Sequence, residues 1–303
     1  MEDSRDDIVD AGVADTDILG DQEIARAMGL DDAWLAIARH VRARIAPEVA
    51  ATQEIARVNS ARVLAALGRA GLADYHFGGT SGYGCDDTGR EHLESAFADV
   101  FGAEAALVRM QMVSGTHALA AVLFGVLRPG DCLVSAYGPP YDTMVTMIGR
   151  DRHVRGSLSE HGVRYLEVPV GEHGEPDYAG ISRAAEGARM VLVQRSRGYS
   201  WRRALSCADI RRIADCVKSV NPHAVVFVDN CYGEFTETRE PCAVGADVVA
   251  GSLIKNPGGG IAPCGGYVVG RSDLVEMAAE RLTAPGLGSH AGPTLGFTRL
   301  IAQ

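Results

Sequence analysis

Six short runs rich in apolar and β-branched residues, at 105–108, 131–136, 163–168, 190–194, 225–228 and 247–253, alternate with segments of helical apolar spacing. That alternation leaves few folds open. A strand apolar along its whole length must be covered on both faces, which suits a sheet inside a layer of helices. Strand and helix in turn imply an α/β fold with a mostly parallel sheet. At 303 residues the chain can bury a large core. The expected division is an acidic arm and helix at 1–45, a large α/β domain at 46–283, and the start of a further, incomplete domain at 284–303. Residues 1–21 carry eight acidic side chains and little periodicity, which suits a loose arm. Helices are expected at 21–45 and 47–71, packed on another subunit or on further chain.

The run at 225–228 ends in Asp229, and the run at 247–253 is followed by Lys255 and the turn Asn256-Pro257-Gly258-Gly259-Gly260. Open α/β sheets hold ligands at the carboxyl ends of their strands. A strand-end acid and a lysine after a later strand suit pyridoxal 5'-phosphate, which needs an amine for its Schiff base and an acid opposite its pyridine nitrogen. A surface ion pair is the plainer reading, but lysine usage argues against it. Only Lys218 and Lys255 occur among 29 basic residues, so arginine carries the surface charge. A desolvated, cationic setting is expected to lower the Lys255 pKa. The segment between the two runs reads as acidic and helix-like.

Val113-Ser114-Gly115-Thr116-His117 opens an apolar helix. It is either a plain Ser/Thr cap or an anion site of free backbone N–H groups, and beside Lys255 the phosphate grip is favoured. It lacks the GxxxxGK[ST] pattern of a nucleotide loop. Tyr137 follows a strand, where its ring could lie on a flat cofactor or sit half-buried in an interface. The glycine-rich stretch 76–90 carries Tyr83, Asp86 and Asp87. The loop Arg195–Arg203 has four arginines and two aromatics, equally a solvated loop or an anion grip. Seven cysteines without a CxxC pair read as buried free thiols, with Cys231 and Cys264 flanking the site, and no metal site is expected. Net charge −10 and pI near 5.4 argue against nucleic acid and anionic membranes. No apolar run reaches 18 residues, and the acidic N-terminus is no secretory signal, so a cytoplasmic protein is expected.

SGYGCDDTGR (81–90), VSGTHAL (113–119), VFVDNCYGEF (226–235), GSLIKNPGGGIAP (251–263), GGYVVGR (265–271) and APGLGSHAGPTLG (284–296) together resemble the fold-type-I pyridoxal-phosphate enzymes. Within them the chain is similar to the methionine γ-lyase and cystathionine-lyase group, and most to its aluminium-resistance branch. The resemblance implies Lys255 as Schiff-base lysine and Asp229 as partner of the pyridine nitrogen. It implies Gly115 and Thr116 as phosphate donors with Ser114 and Ser252 nearby, and Tyr137 stacked on the ring. Tyr83 would reach the phosphate of a neighbouring subunit in a homodimer or homotetramer with the site at the interface. Leu253 and Ile254 stand where better-known lyases carry a phosphate-binding threonine. The family continues past residue 303 with a small domain that normally supplies the arginine for the substrate carboxylate, and Arg195, Arg197 or Arg202 could replace it. The implied reaction is β- or γ-elimination from a sulfur-containing or otherwise substituted amino acid through a Lys255 internal aldimine. Transamination or γ-replacement on the same cofactor is one alternative, and a non-catalytic assembly partner is another.

Overall fold

A computed structural model describes residues 16–302 apart from residue 153, with side chains from residue 22 onward. The expected arm lies mostly outside the described residues. The chain divides into two units, Met1–Glu54 and Ile55–Gln303. In the first, α1 (Thr16–Ala27) is followed by α2 (Asp32–Arg69), which runs on into the second unit. The helix break expected at Pro47 is absent, because Pro47 lies inside α2. Asp31 precedes α2 and caps it, its Oδ1 accepting from the N–H groups of Ala33 and Trp34. The lost proline amide costs about 3 kcal/mol. Residues 41–50 are all exposed, so water can serve the carbonyl left without its donor.

The second unit holds one sheet in the order β1-β7-β6-β5-β4-β2-β3. Its strands are β1 (Ala105–Arg109), β2 (Cys132–Ser135), β3 (Arg164–Glu167), β4 (Met190–Gln194), β5 (Val225–Asp229), β6 (Val248–Ser252) and β7 (Gly266–Gly270). Strands β2 to β6 pair in parallel, and β7 is antiparallel to both β1 and β6. The mostly parallel α/β sheet expected from the sequence is therefore present.

Alternation along each strand assigns side chains to two cores. Val226 and Val228 join one cluster with Val191 and Val193. It packs under α3 (Thr88–Phe101), α6 (Tyr178–Ala185) and α7 (Cys207–Val220), through Leu93, Ile181, Ile210 and Val217. Val225 and Phe227 face the other cluster, under α4 (Gly115–Val126) and α8 (Ser272–Leu282). Each fully buried Val or Leu contributes about 1.5–3 kcal/mol. Both faces of β5 are covered, which is why its five residues are all buried. The edge strand β3 alternates exposed and half-buried residues and carries charges at both ends, as unpaired edges do.

Two short helices, α5 (Asp142–Ile148) and α9 (Thr298–Ala302), and three 3-10 turns complete the elements of the described residues. The helix expected between Asp229 and β6 is not an α-helix. It is a series of turns ending in a 3-10 turn at Pro241–Val244. Tyr232 (φ 69) and Phe235 (φ 61) take left-handed backbone there, and Glu234 and Glu240 are buried at 1% exposure. Inward-facing acids and left-handed residues both break a helical path.

The motifs at 81–90 and 284–296 pack against each other. Arg90, buried at the start of α3, donates to the carbonyls of Gly84, His290 and Gly292. Asp87 caps α3 by accepting from Arg90 N and also accepts from Thr80 Oγ1 and Thr294 Oγ1. This loop thus serves as a structural clasp in the described chain. All seven cysteines are free; Cys132, Cys207 and Cys231 are buried, whereas Cys85 is exposed, contrary to the uniform burial expected. No helix among the described residues is long and apolar enough to cross a membrane.

Candidate active site

Strands β4 and β5 end level, since Gln194 pairs with Asp229, while β6 runs on past Ala250, the partner of Asp229, to Ser252. Their carboxyl ends and the N-terminus of α4 enclose a cavity of about 700 Å³. Ser114, Gly115, Thr116, Asp229, Ser252 and Lys255 all line it. Residues separated by up to 141 positions in the chain meet there because α4 crosses the sheet from the β1 edge and docks its first turn over β6.

Asp229 is 3% exposed, and its Oδ1 accepts from the N–H of Cys231 at 3.1 Å. Burial pushes its carboxyl pKa up, against Cys231, Lys255 and Arg202, which pull it down. A desolvated acid on a cavity wall is a strong site for a cation or a protonated ring nitrogen. Ser114 caps α4 by accepting from His117 N at 3.2 Å. The first N–H groups of α4, those of Gly115 and Thr116, have no acceptor within the helix and carry its positive dipole end. The Oγ of Ser252 is buried without a partner. At Gly115 a Cβ would lie 2.9 Å from the Ser252 Cβ and 3.2 Å from the Cys231 Sγ. The first turn therefore approaches Ser252 as only glycine permits. An orphaned hydroxyl beside free N–H groups fits a bound phosphate, and the buried acid fits a pyridine nitrogen.

Lys255 is half-buried, with Nζ 3.9 Å from the centroid of the Tyr232 ring. The setting is not the cationic one expected. Burial lowers its pKa, but Cys231, Tyr232 and Asp229 outweigh that and raise it. The reason is tertiary: the turn after β5 brings its acid, thiol and phenol to the amine. Burial and Asp229 in turn push the Cys231 thiol up, so it is held as a neutral thiol.

Tyr137 lies elsewhere than the ring-stacking expectation requires. Tyr137 is buried at 1% exposure, donates to Gly174 O and lies under Arg202; it does not line the cavity. Gly138 (φ 70) and two prolines reverse the chain after β2. The side chain returned to the strand ends is therefore Tyr141. Its OH is 2.8 Å from Thr116 Oγ1, and its N–H donates to Gln194 Oε1 at 2.8 Å. The strand-to-helix reversal at Gly-Pro-Pro was the available signal for Tyr141. Tyr83 is 81% exposed and lies outside this chain's own cavity. Cys231 lines the cavity, whereas Cys264 does not and donates to Met110 O. Tyr232, which no sequence pattern marked, lies on the wall in a strained backbone region where functional residues gather.

Behind Asp229 lies a buried polar group. Glu234 Oε1 accepts from the Tyr267 OH at 2.8 Å, while its Oε2 has no partner. Burial pushes the Glu234 carboxyl up to about 8 from its ordinary 4.5. A raised acid pKa confers stability that is full below pH 4.5 and lost as pH rises to about 8. Glu234→Gln is therefore expected to flatten the fall in denaturation midpoint between about pH 5 and about pH 8. An identical pH slope in variant and wild type would contradict the assignment.

The sequence profile of the methionine gamma-lyase family matches residues 34–303. The chain belongs to this family. Among family relatives, the Bacillus subtilis protein YnbB is 46% identical over 260 residues, covering 85% of this chain and 62% of its own length. The chain thus spans less than two thirds of that relative. A solved carbon-sulfur lyase involved in aluminum resistance from Clostridium novyi NT is 43% identical, with a TM-score of 0.87 over 93% of this chain and 68% of its own. The pyridoxal-5'-phosphate dependent protein YhfS from Escherichia coli is 20% identical, with a TM-score of 0.61 over 83% of this chain and 64% of its own. At that identity it bears on the fold alone, and its likeness agrees with the fold-type-I arrangement of the sheet.

Proposed function

We propose that the chain is the cofactor-binding part of a pyridoxal-phosphate-dependent carbon–sulfur lyase acting on a sulfur-containing or otherwise substituted amino acid. The observation that carries this reading is the meeting of Asp229, Lys255, Ser252 and the first turn of α4 on one cavity wall. Its volume, about 700 Å³, suits a flat cofactor together with a small amino acid. When bound, pyridoxal phosphate supplies an electron sink for the charge left by removal of an α-proton.

The chain's own groups have separate tasks. Lys255 would hold the cofactor through its Nζ, and its amine would serve as the base for the α-proton. Asp229 would keep a proton at the cofactor's ring nitrogen. The N–H groups of Gly115 and Thr116 and the Ser252 hydroxyl take the phosphate, with Ser114 holding the turn that presents them. Tyr141, linked to Thr116, forms the aromatic wall. The reading includes a cytoplasmic dimer or tetramer in which the exposed Tyr83 meets the phosphate of a neighbouring copy.

The purified full chain, loaded with pyridoxal phosphate and given L-cystathionine or L-methionine, is expected to release pyruvate or 2-oxobutyrate with ammonia. Amino transfer to an added keto acid without ammonia would overturn elimination. A cofactor that binds without any chemistry on either substrate would overturn the lyase reading for this chain.

A further inference from the structure

Lysine has a long flexible stem, so where the Nζ of Lys255 comes to rest depends on how firmly the backbone beside it is held. On the strand side the hold is plain. Leu253 is fully buried, and its N–H donates to Gly265 O at 3.1 Å. The loop then folds back onto that end of β6 as only glycine permits, since a Cβ at Gly258 would collide with Leu253 O. On the far side of the lysine the hold is one side chain. Asn256 Nδ2 donates to the carbonyl of Glu234 at 2.9 Å, across 22 positions of sequence.

That carbonyl is a fixed target. The Glu234 side chain is buried and accepts from the Tyr267 OH at 2.8 Å. The next N–H, that of Phe235, donates to Glu240 Oε1 at 2.8 Å. Asn59 of α2 donates to the carbonyls of Phe235 and Glu237 at 3.0 and 3.1 Å. The turn held in this way also carries Cys231 and Tyr232 and follows directly on Asp229, and these three are the groups beside the Lys255 amine. One amide thus sets the lysine's segment against the turn whose phenol ring Nζ overlies. Asn256 is itself exposed, so its replacement removes that tie and leaves the buried core intact.

We propose that Asn256 is a positioning residue, which through its bond to Glu234 O holds the Lys255 amine where the cofactor's aldehyde must meet it. This rests on the cofactor reading above. Attachment joins Nζ to the aldehyde carbon and releases one water, so it needs no further reactant. The test titrates the cofactor-free full chain, by calorimetry, with pyridoxal phosphate and with deoxypyridoxine phosphate, which keeps the ring and phosphate but carries a methyl in place of the aldehyde. Wild type is expected to hold the aldehyde more tightly. Asn256→Ala should weaken the aldehyde about three- to tenfold, as for loss of one hydrogen bond, and leave the methyl analogue nearly unchanged. Asn256→Gln keeps the donor on a longer stem and should recover part of the loss, whereas Asn256→Asp, of equal size but without the donor, should recover none. Equal losses for the two ligands in Asn256→Ala would mean a deformed cavity rather than a misplaced amine, and would overturn the positioning role. Unchanged aldehyde binding in Asn256→Ala, or full recovery in Asn256→Asp, would overturn it too, with the cofactor reading intact. Wild type that holds both ligands equally, or binds neither, overturns the role of Lys255 in the cofactor reading as well.

Discussion

Lys255→Ala is expected to abolish the visible absorbance of lysine-bound pyridoxal phosphate and to take turnover with it. Loss of the base alone costs about 10²–10⁴-fold, and loss of the covalent attachment adds to that. The fold should survive. Lys255 is half-buried, and its ring contact with Tyr232 is worth about 0.5–1 kcal/mol at an exposed site. Denaturation of the cofactor-free variant should therefore resemble that of wild type, which separates a chemical defect from misfolding. A folded variant retaining both the spectrum and turnover would remove Lys255 from the site.

Asp229→Asn should have opposite effects on stability and on activity. The carboxyl of Asp229 is raised above its ordinary 3.8, chiefly by burial. A raised acid contributes stability that is full below pH 3.8 and lost as pH climbs through the folded value. At neutral pH the cofactor-free wild type therefore carries an unfavourable buried acid. Asparagine keeps the bond from Cys231 N–H and removes the charge, so the cofactor-free variant should gain on the order of 1 kcal/mol at neutral pH. With cofactor bound, the ring nitrogen loses its anionic partner, and turnover should drop about 10²–10³-fold. Denaturation midpoints with and without pyridoxal phosphate, together with initial rates, check both signs. A variant less stable without cofactor, yet fully active with it, would contradict the role.

These two residues were legible in the sequence for a local reason. Asp229 directly ends an apolar run, and Lys255 directly follows another, so chain position alone assigned both to the strand-end side of a parallel sheet. Ser114-Gly115-Thr116 was legible as a helix start, and the fold brings that start to the cavity, since Ser114 both caps α4 and lines the cavity. Tyr137 misled because residues next to a strand are the natural choice, whereas a Gly-Pro-Pro reversal brought Tyr141 to the cavity instead. The pKa of Lys255 could not be read from its neighbours in sequence. Cys231 and Tyr232, which raise it, are more than twenty positions away.

The amino-acid sequence alone determined the parallel α/β sheet, the strand-end acid and lysine, and the helix start, since each depends on short-range patterning of apolar, glycine and charged residues. Only tertiary structure decided which tyrosine walls the cavity and that the Lys255 amine sits among acidic groups. Those outcomes depend on how separate turns pack together, and hydrogen-bond partners supplied from distant segments are not encoded in any local pattern.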